Sequence, residues 1–229
     1  RELSVPVRGD DLVDAVNASS SAARQAWLAF VATTAYFAIT LAGIGHRELL
    51  LNSGLQLPLL NVDVPLHSFF LVAPLVLVLT HAILLLQHWS LRQNLIRFEI
   101  GAATNWGVEA KRPSLNHYIF VQAHSGPDRY HRHAALAMRA AIFVSLLIVP
   151  LALLLAFQVR FLPFHDIGVT WWHRLLIAFD IIVLLLFYGS WRIDRFRRKV
   201  LAAVSAIALL FVSVFGATVP EEAVDQLVS

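Results

Sequence analysis

The chain contains no cysteine. That excludes disulfides, thiolate metal sites and a cysteine nucleophile. Charge is also scarce: Asp, Glu, Lys and Arg make up 14% of the 229 residues, where soluble domains carry about 25%. With a net formal charge of only +3 there is no broad cationic surface, so nucleic acid is not an expected partner. The chain also lacks an internal repeat, a low-complexity tract and a Gly-rich phosphate loop. Ser145, Ser205 and Ser213 stand without the setting of a nucleophile and its base, which makes a hydrolase the weakest functional class. The chain opens on Arg1 rather than Met, so a fragment or trimmed chain is expected.

What is present is apolar surface. Hydrophobic residues make up 58% of the chain and mean hydropathy is +0.68. Five segments carry it: 26–45, 68–88, 134–157, 171–190 and 199–218. Each is close to the length of ~20 residues that crosses a hydrocarbon layer of ~30 Å as a helix. Inside lipid the backbone must satisfy its own hydrogen bonds, so these segments are helices. The expected fold is an all-α polytopic bundle of about five transmembrane helices. Its parts are an N-terminal segment over 1–25, a membrane domain over 26–218 with a long loop at 89–133, and a tail over 219–229.

Lys and Arg set the orientation. Of 18 such residues, 14 fall in the N-terminal segment, the 89–133 loop and the short loop before the fifth segment. Only Arg47 and Arg160 lie in the other loops. The positive-inside rule therefore puts the N-terminus and both basic loops in the cytoplasm, and five crossings put the acidic tail outside. Trp27, Trp89, Trp171, Trp172 and Trp191 sit at segment ends, where interfacial aromatics are expected.

Between the spans, Asp10 and Asp11 start a short helix through Val16, Asn17-Ala-Ser-Ser-Ser ends it, and Ser20 or Ser21 caps the first span. The stretch around Pro58 and Pro65 reads as extended, with edge-strand character only. Leu91, Leu95, Ile96 and Phe98, with polar residues between them, extend the second helix beyond the membrane on a face suited to headgroups. A second short element is expected over 113–124.

Several short motifs recur in order between the spans. They are Ala23-Arg-Gln-Ala-Trp-Leu-Ala-Phe, Ile39-Thr-Leu-Ala-Gly-Ile, Leu55-Gln-Leu-Pro-Leu-Leu-Asn-Val-Asp-Val-Pro, Ser68-Phe-Phe-Leu-Val-Ala-Pro-Leu and Phe161-Leu-Pro-Phe-His-Asp. From about Ala23 onward the chain resembles the N-terminal membrane region of some bacterial pentapeptide-repeat proteins. The resemblance implies an inner-membrane anchoring or sensing module ahead of a solenoid of five-residue repeats, with no catalytic residues. The repeats themselves are not in this sequence; they were removed, or the chain is a stand-alone relative.

A few polar residues inside the spans carry the functional expectations. Asp180 lies near the middle of the fourth span, where a carboxylate costs about 2.5–3.5 kcal/mol on insertion scales. It needs a partner, water or a proton. His81 lies at a similar depth on a helix running the same way and is its expected partner; Thr80 adds a hydroxyl, and Arg139 is the second candidate. A dry Asp–His pair fixes packing, whereas one in a wet crevice relays protons. A stripe of small and hydroxyl residues, including Ala29, Thr33, Tyr36, Thr40 and Gly43, predicts a tight seam against another helix or subunit. His67, His81 and His88, spaced by 14 and 7, share a helical face. That admits a b-type haem between His67 and His173, although no cofactor is the primary expectation. His131-x-His133 with His124 lacks the acidic partners of a metal site. The residues therefore point to a non-enzymatic membrane anchor or assembly module, with partners in the bilayer: lipid, other membrane subunits or itself. An oligomeric channel or membrane-disrupting effector, and a haem- or quinone-handling redox subunit, are the alternatives.

Overall fold

The computed structural model describes residues 9–44, 55–56, 63–125, 132–162 and 166–189. The described residues are helical apart from short turns and one two-residue strand pair. Helix α1 covers Gly9–Gly43 and α2 covers Leu66–Thr104. Two short helices follow, α3 (Trp106–Glu109) and α4 (Ile119–His124), with a 3-10 turn at Arg112–Ser114 between them. Then come α5 (Arg132–Phe143), a π-helical turn at Val144–Ile148, α6 (Val149–Phe161) and α7 (Ile167–Gly189). Leu55–Gln56 pairs antiparallel with Asp63–Val64 in the α1–α2 connection.

Four stretches among the described residues are long and apolar enough to cross a membrane: Gly9–Gly43, Leu66–Thr104, His133–Phe161 and Ile167–Phe187. The fifth expected span, 199–218, lies outside the described residues, so four helices are established rather than five. Leu79, Ile83, Leu86, Val159 and Leu175 are each more than half exposed. In water such a surface is a liability; facing lipid it costs nothing. The protein is a multi-pass membrane protein. By internal contact the chain divides into one unit over Arg1–Asp180 and another over Ile181–Ser229. Of the second unit, the described part is the end of α7 (residues 181–189).

Helices α1 and α2 form a long antiparallel hairpin. Leu12 meets Gly101, Asn94 donates to the Ala15 carbonyl at 3.2 Å, Phe30 lies against His81 at 5.3 Å and Phe37 against Phe69 at 6.3 Å. The approach at Gly101 is close: a Cβ there would sit 2.9 Å from Leu12 Cδ1, so the leucine side chain would have to shift. With 35 and 39 residues the two helices are about 52 and 58 Å long, well beyond a hydrocarbon layer of ~30 Å. The excess stands as a two-helix stalk at the basic end. Segment α3–α4 folds back onto it and forms a helical platform. Asn105 serves both neighbours: its N–H closes α2 on the Gly101 carbonyl at 2.9 Å, and its side chain caps α3 through Gly107 N–H at 2.8 Å.

Two local expectations are corrected here. The serines after Asn17 do not break α1. Ser19, Ser20 and Ser21 turn their hydroxyls back to carbonyls three or four residues earlier, which keeps the helix continuous. The apolar face of the α2 extension does not ride headgroups either. Leu91, Leu95 and Phe98 are buried within the stalk and platform.

Candidate functional site

The deepest polar cluster joins three helices. His81 Nδ1 lies 2.7 Å from Asp180 Oδ1, and His81 Nε2 donates to the Leu146 carbonyl at 3.0 Å. Both side chains are closed off, at 0% and 1% exposure. Local sequence explains the third partner. Pro150 has no N–H, so the carbonyl four residues earlier, Leu146, loses its usual helical donor. The chain widens there into a π turn, with Val149 N–H reaching back to Val144. His81 supplies the missing donor from α2.

The geometry fixes the proton count. A carbonyl only accepts, so His81 Nε2 carries a hydrogen. Nδ1 then accepts from a protonated Asp180 or donates to its carboxylate. Both arrangements hold the same number of protons and carry no net charge, which is how this pair tolerates hydrocarbon depth. The second carboxyl oxygen, Oδ2, has no hydrogen-bond partner among the described residues.

The same device recurs one helix over. Pro74 frees the Phe70 carbonyl of α2, and His173 Nε2 of α7 donates to it at 2.6 Å. Beside it Trp172 Nε1 donates to Leu71 O at 3.0 Å, and His67 Nε2 lies 3.2 Å from Asp166 Oδ2. Asp166 also caps α7 through Val169 N–H at 3.2 Å. That backbone bond, and then His67, hold the Asp166 carboxyl below its ordinary range. The two histidines weighed for haem are thus each engaged elsewhere. The Phe161 ring lies 6.4 Å from His67 and 5.8 Å from His173, where a porphyrin would need space.

Other expected site residues lie apart from this cluster. Thr80 turns its hydroxyl to Val76 and Leu77 of its own helix, both at 2.9 Å, so it does not join Asp180. Arg139 is exposed on α5, and its charge bears on His124. The small-residue stripe is divided within this chain: Thr40 is buried, and Thr33 and Tyr36 are half-buried. Ala29 and Gly43 are exposed, and nothing lies within 4 Å of a Cβ placed on Gly43. Thr33 and Thr40 bond back to Ala29 and Tyr36 of their own helix. Over the same stretch α1 buries Ala23, Phe30, Thr34, Phe37, Thr40 and Leu41. Large aromatic rings and small residues share that face. The described residues hold no cluster of three or more His, Asp or Glu suited to a metal.

The basic end carries polar residues that sequence reasoning passed over. Arg112 is buried and forks to Glu99 (2.6 and 3.3 Å) and to Glu109 (2.9 and 2.6 Å), and it also donates to Ser125 O at 2.7 Å. Glu109 first, then Glu99, raise its pKa further above the ordinary arginine range. Asn17 and Asn116 stitch the platform to the stalk: Asn116 N–H donates to Asn17 Oδ1 at 2.8 Å, and Asn17 Nδ2 donates to Ser114 O at 3.0 Å. His88 donates from Nδ1 to Leu84 O at 2.9 Å, so its Nε2 accepts from the Tyr118 hydroxyl at 2.8 Å. His124 donates to Phe120 O at 2.9 Å, and burial lowers its pKa. The i−4 rule for proline was the available signal for the Leu146 and Phe70 acceptors. The asparagine pair carries no such local signal.

Comparisons with protein-family models, with curated proteins and with solved structures find no match.

Proposed function

We propose that this chain is a non-enzymatic multi-pass membrane anchor and assembly module whose platform docks a partner or presents a following soluble domain. The observation that carries this reading is the dryness of the central clasp. His81 and Asp180 are closed off, and both imidazole nitrogens are spent on protein atoms. A conduit needs water at its ionisable residues; a latch needs none. The platform supports the same reading. Arg112 and the asparagine pair hold it against the stalk, while Trp106 at its tip is 83% exposed. A large exposed indole is a favoured anchor at protein interfaces. The Lys and Arg distribution supports a cytoplasmic platform. The resemblance to pentapeptide-repeat proteins supports a bacterial inner membrane and a repeat domain as the cargo.

One observation favours the channel as a second reading: Asp180 Oδ2 is buried without a partner among the described residues. A single experiment separates the two. The full chain and its Trp106→Ala variant are extracted from native membranes in mild detergent, and each is also reconstituted for ion-flux measurement. The anchor reading expects a stoichiometric partner or self-assembly that weakens on Trp106→Ala, with flux at background. A lone monomer, or flux that disappears on Asp180→Asn, overturns it.

A further inference from the structure

At the junction of membrane and platform lies a recess of about 310 Å³ between α1 and the segment leading into α4. Arg24, Gln25 and Ser21 line it from α1, Asn116 and His117 from the opposite side, and Leu28 at its apolar rim. No carboxylate lines it. Among the described residues the Arg24 guanidinium, the Gln25 amide and the His117 ring carry no hydrogen bond or ion pair. The floor, in contrast, is rigid: Asn116 Nδ2 donates to Ser20 Oγ at 2.8 Å and to the Asn17 carbonyl at 3.1 Å, and Gln122 Nε2 donates to Asn116 O at 3.1 Å. Free donors of three kinds thus converge on a preorganised basin with one fixed positive charge.

Depth identifies the ligand. Arg24 stands two residues before the first apolar run, next to the interfacial Trp27. One turn further along the same face, Leu28 is 50% exposed and Val31 is 40% exposed. The basin therefore opens where phosphates lie, and its rim continues along a surface suited to acyl chains. The volume is at the low end of small-molecule sites, about 300–1,000 Å³. It suits a headgroup, with the chains left outside. A guanidinium, an amide and an imidazole approaching from two walls match a tetrahedral group with several acceptor oxygens better than a planar carboxylate.

We propose that this recess binds the phosphate of an anionic phospholipid headgroup, with Arg24 as the principal ligand and His117 and Gln25 as its hydrogen-bonding wall. The site depends on the membrane placement of α1 and not on the anchor reading.

The test reconstitutes the full chain in nanodiscs of phosphatidylcholine, alone or with a minor fraction of phosphatidylglycerol. Retained lipid is read by native mass spectrometry, and protection of 114–118 by hydrogen exchange. Millimolar inorganic phosphate is the second probe. The wild-type chain should retain phosphatidylglycerol over phosphatidylcholine. Arg24→Gln should weaken that retention about tenfold to a hundredfold, as expected for a charge-assisted bond. His117→Gln should weaken it less, and Arg97→Gln should leave it unchanged. Protection by inorganic phosphate in pure phosphatidylcholine, without lipid enrichment, would assign the same chemistry to a free phosphate. Equal loss in Arg24→Gln and Arg97→Gln would mean diffuse charge and overturn the site, as would no response to either probe. Melting of each variant in pure phosphatidylcholine controls for folding; if Arg24→Gln melts early, Gln25→Ala and His117→Gln carry the comparison.

Discussion

Replacing Asp180 by leucine separates a latch from mere proximity. In the folded chain the substitution strips His81 Nδ1 of its 2.7 Å partner while His81 stays at 0% exposure. An unsatisfied buried polar atom costs about 1–3 kcal/mol. For a chain of this size that corresponds to roughly 2–4 °C in Tm per kcal/mol, so Asp180→Leu should melt about 2–12 °C lower. His81→Leu should cost more, because the imidazole also serves the Leu146 carbonyl at 3.0 Å. Asp180→Asn should be nearly neutral, since its amide N–H donates to Nδ1 in place of the carboxyl group. The double variant His81→Leu/Asp180→Leu removes both partners and should recover part of the loss. Interhelical hydrogen bonds in membranes average about 0.6 kcal/mol in double-mutant cycles, with a maximum near 1.7. A dry carboxyl–imidazole bond belongs at the upper end, so the coupling should reach about 1–2 kcal/mol. The assay is reversible unfolding of the four proteins in one mild detergent or bicelle. Additivity within about 0.3 kcal/mol would refute the reasoning, because the two side chains would then be neighbours without an interaction.

Three further outcomes follow from the same structure. Pro150→Ala restores an N–H to Leu146 O, so His81→Leu should cost about 1 kcal/mol less in that background than in the wild type; an unchanged cost in a thermal-melt cycle would count against the proline account. Arg112→Leu leaves Glu99 and Glu109 without their shared cation, but these are 35% and 32% exposed. The loss should therefore stay near about 2 kcal/mol, below the 3–5 of a dry pair. It should be read as faster hydrogen exchange confined to 106–124, and protection equal to the wild type would refute it. His124 has a folded pKa below its unfolded value of about 6.5. The unfolded state therefore binds the extra proton, and platform stability should fall as pH drops below about 6.5. Exchange rates over 119–124 that do not change between neutral and mildly acidic pH, after correction for intrinsic chemistry, would contradict this.

The spans were legible because length and apolar run are local properties. The helix 171–190 was expected and α7 runs Ile167–Gly189. The depth match of His81 and Asp180 was legible too, since it needs only span direction and position. What failed needed knowledge of contacts. Asn17-Ala-Ser-Ser-Ser reads as a stop, yet Asn116, far along the chain, holds Asn17 and Ser20 in place within a continuous helix. The small-residue stripe reads as one continuous seam, yet within this chain Thr40 is buried while Ala29 and Gly43 are exposed, and Phe30 and Phe37 beside it meet His81, Phe69 and Phe157. Small residues permit close approach; they do not compel it when a larger apolar face lies beside them. A proline inside a helix is known for the kink it makes, but a kink is only half of its effect. It also leaves an acceptor, and only the packed bundle decides which donor reaches it.

That second half bears on whether the bundle is a switch. Helices α2 and α7 run in the same direction, and their polar contacts share one register: His67 with Asp166, Leu71 with Trp172, Phe70 with His173 and His81 with Asp180 lie 99, 101, 103 and 99 residues apart. Slipping α7 by one turn would break all four at once. The Phe70 carbonyl, next to Pro74, has no helical donor to fall back on, and hydrocarbon supplies none. At about 1–3 kcal/mol for each buried group left unpaired, even the two buried contacts, His173 with Phe70 and His81 with Asp180, put the slipped state several kcal/mol above the native one. A transporter or gate needs alternative states that lie close in energy. A helix pair pinned at three depths, one of them by a proline-freed carbonyl and the deepest by a carboxyl–imidazole bond, disfavours such states, and that rigidity is what a scaffold for another domain requires.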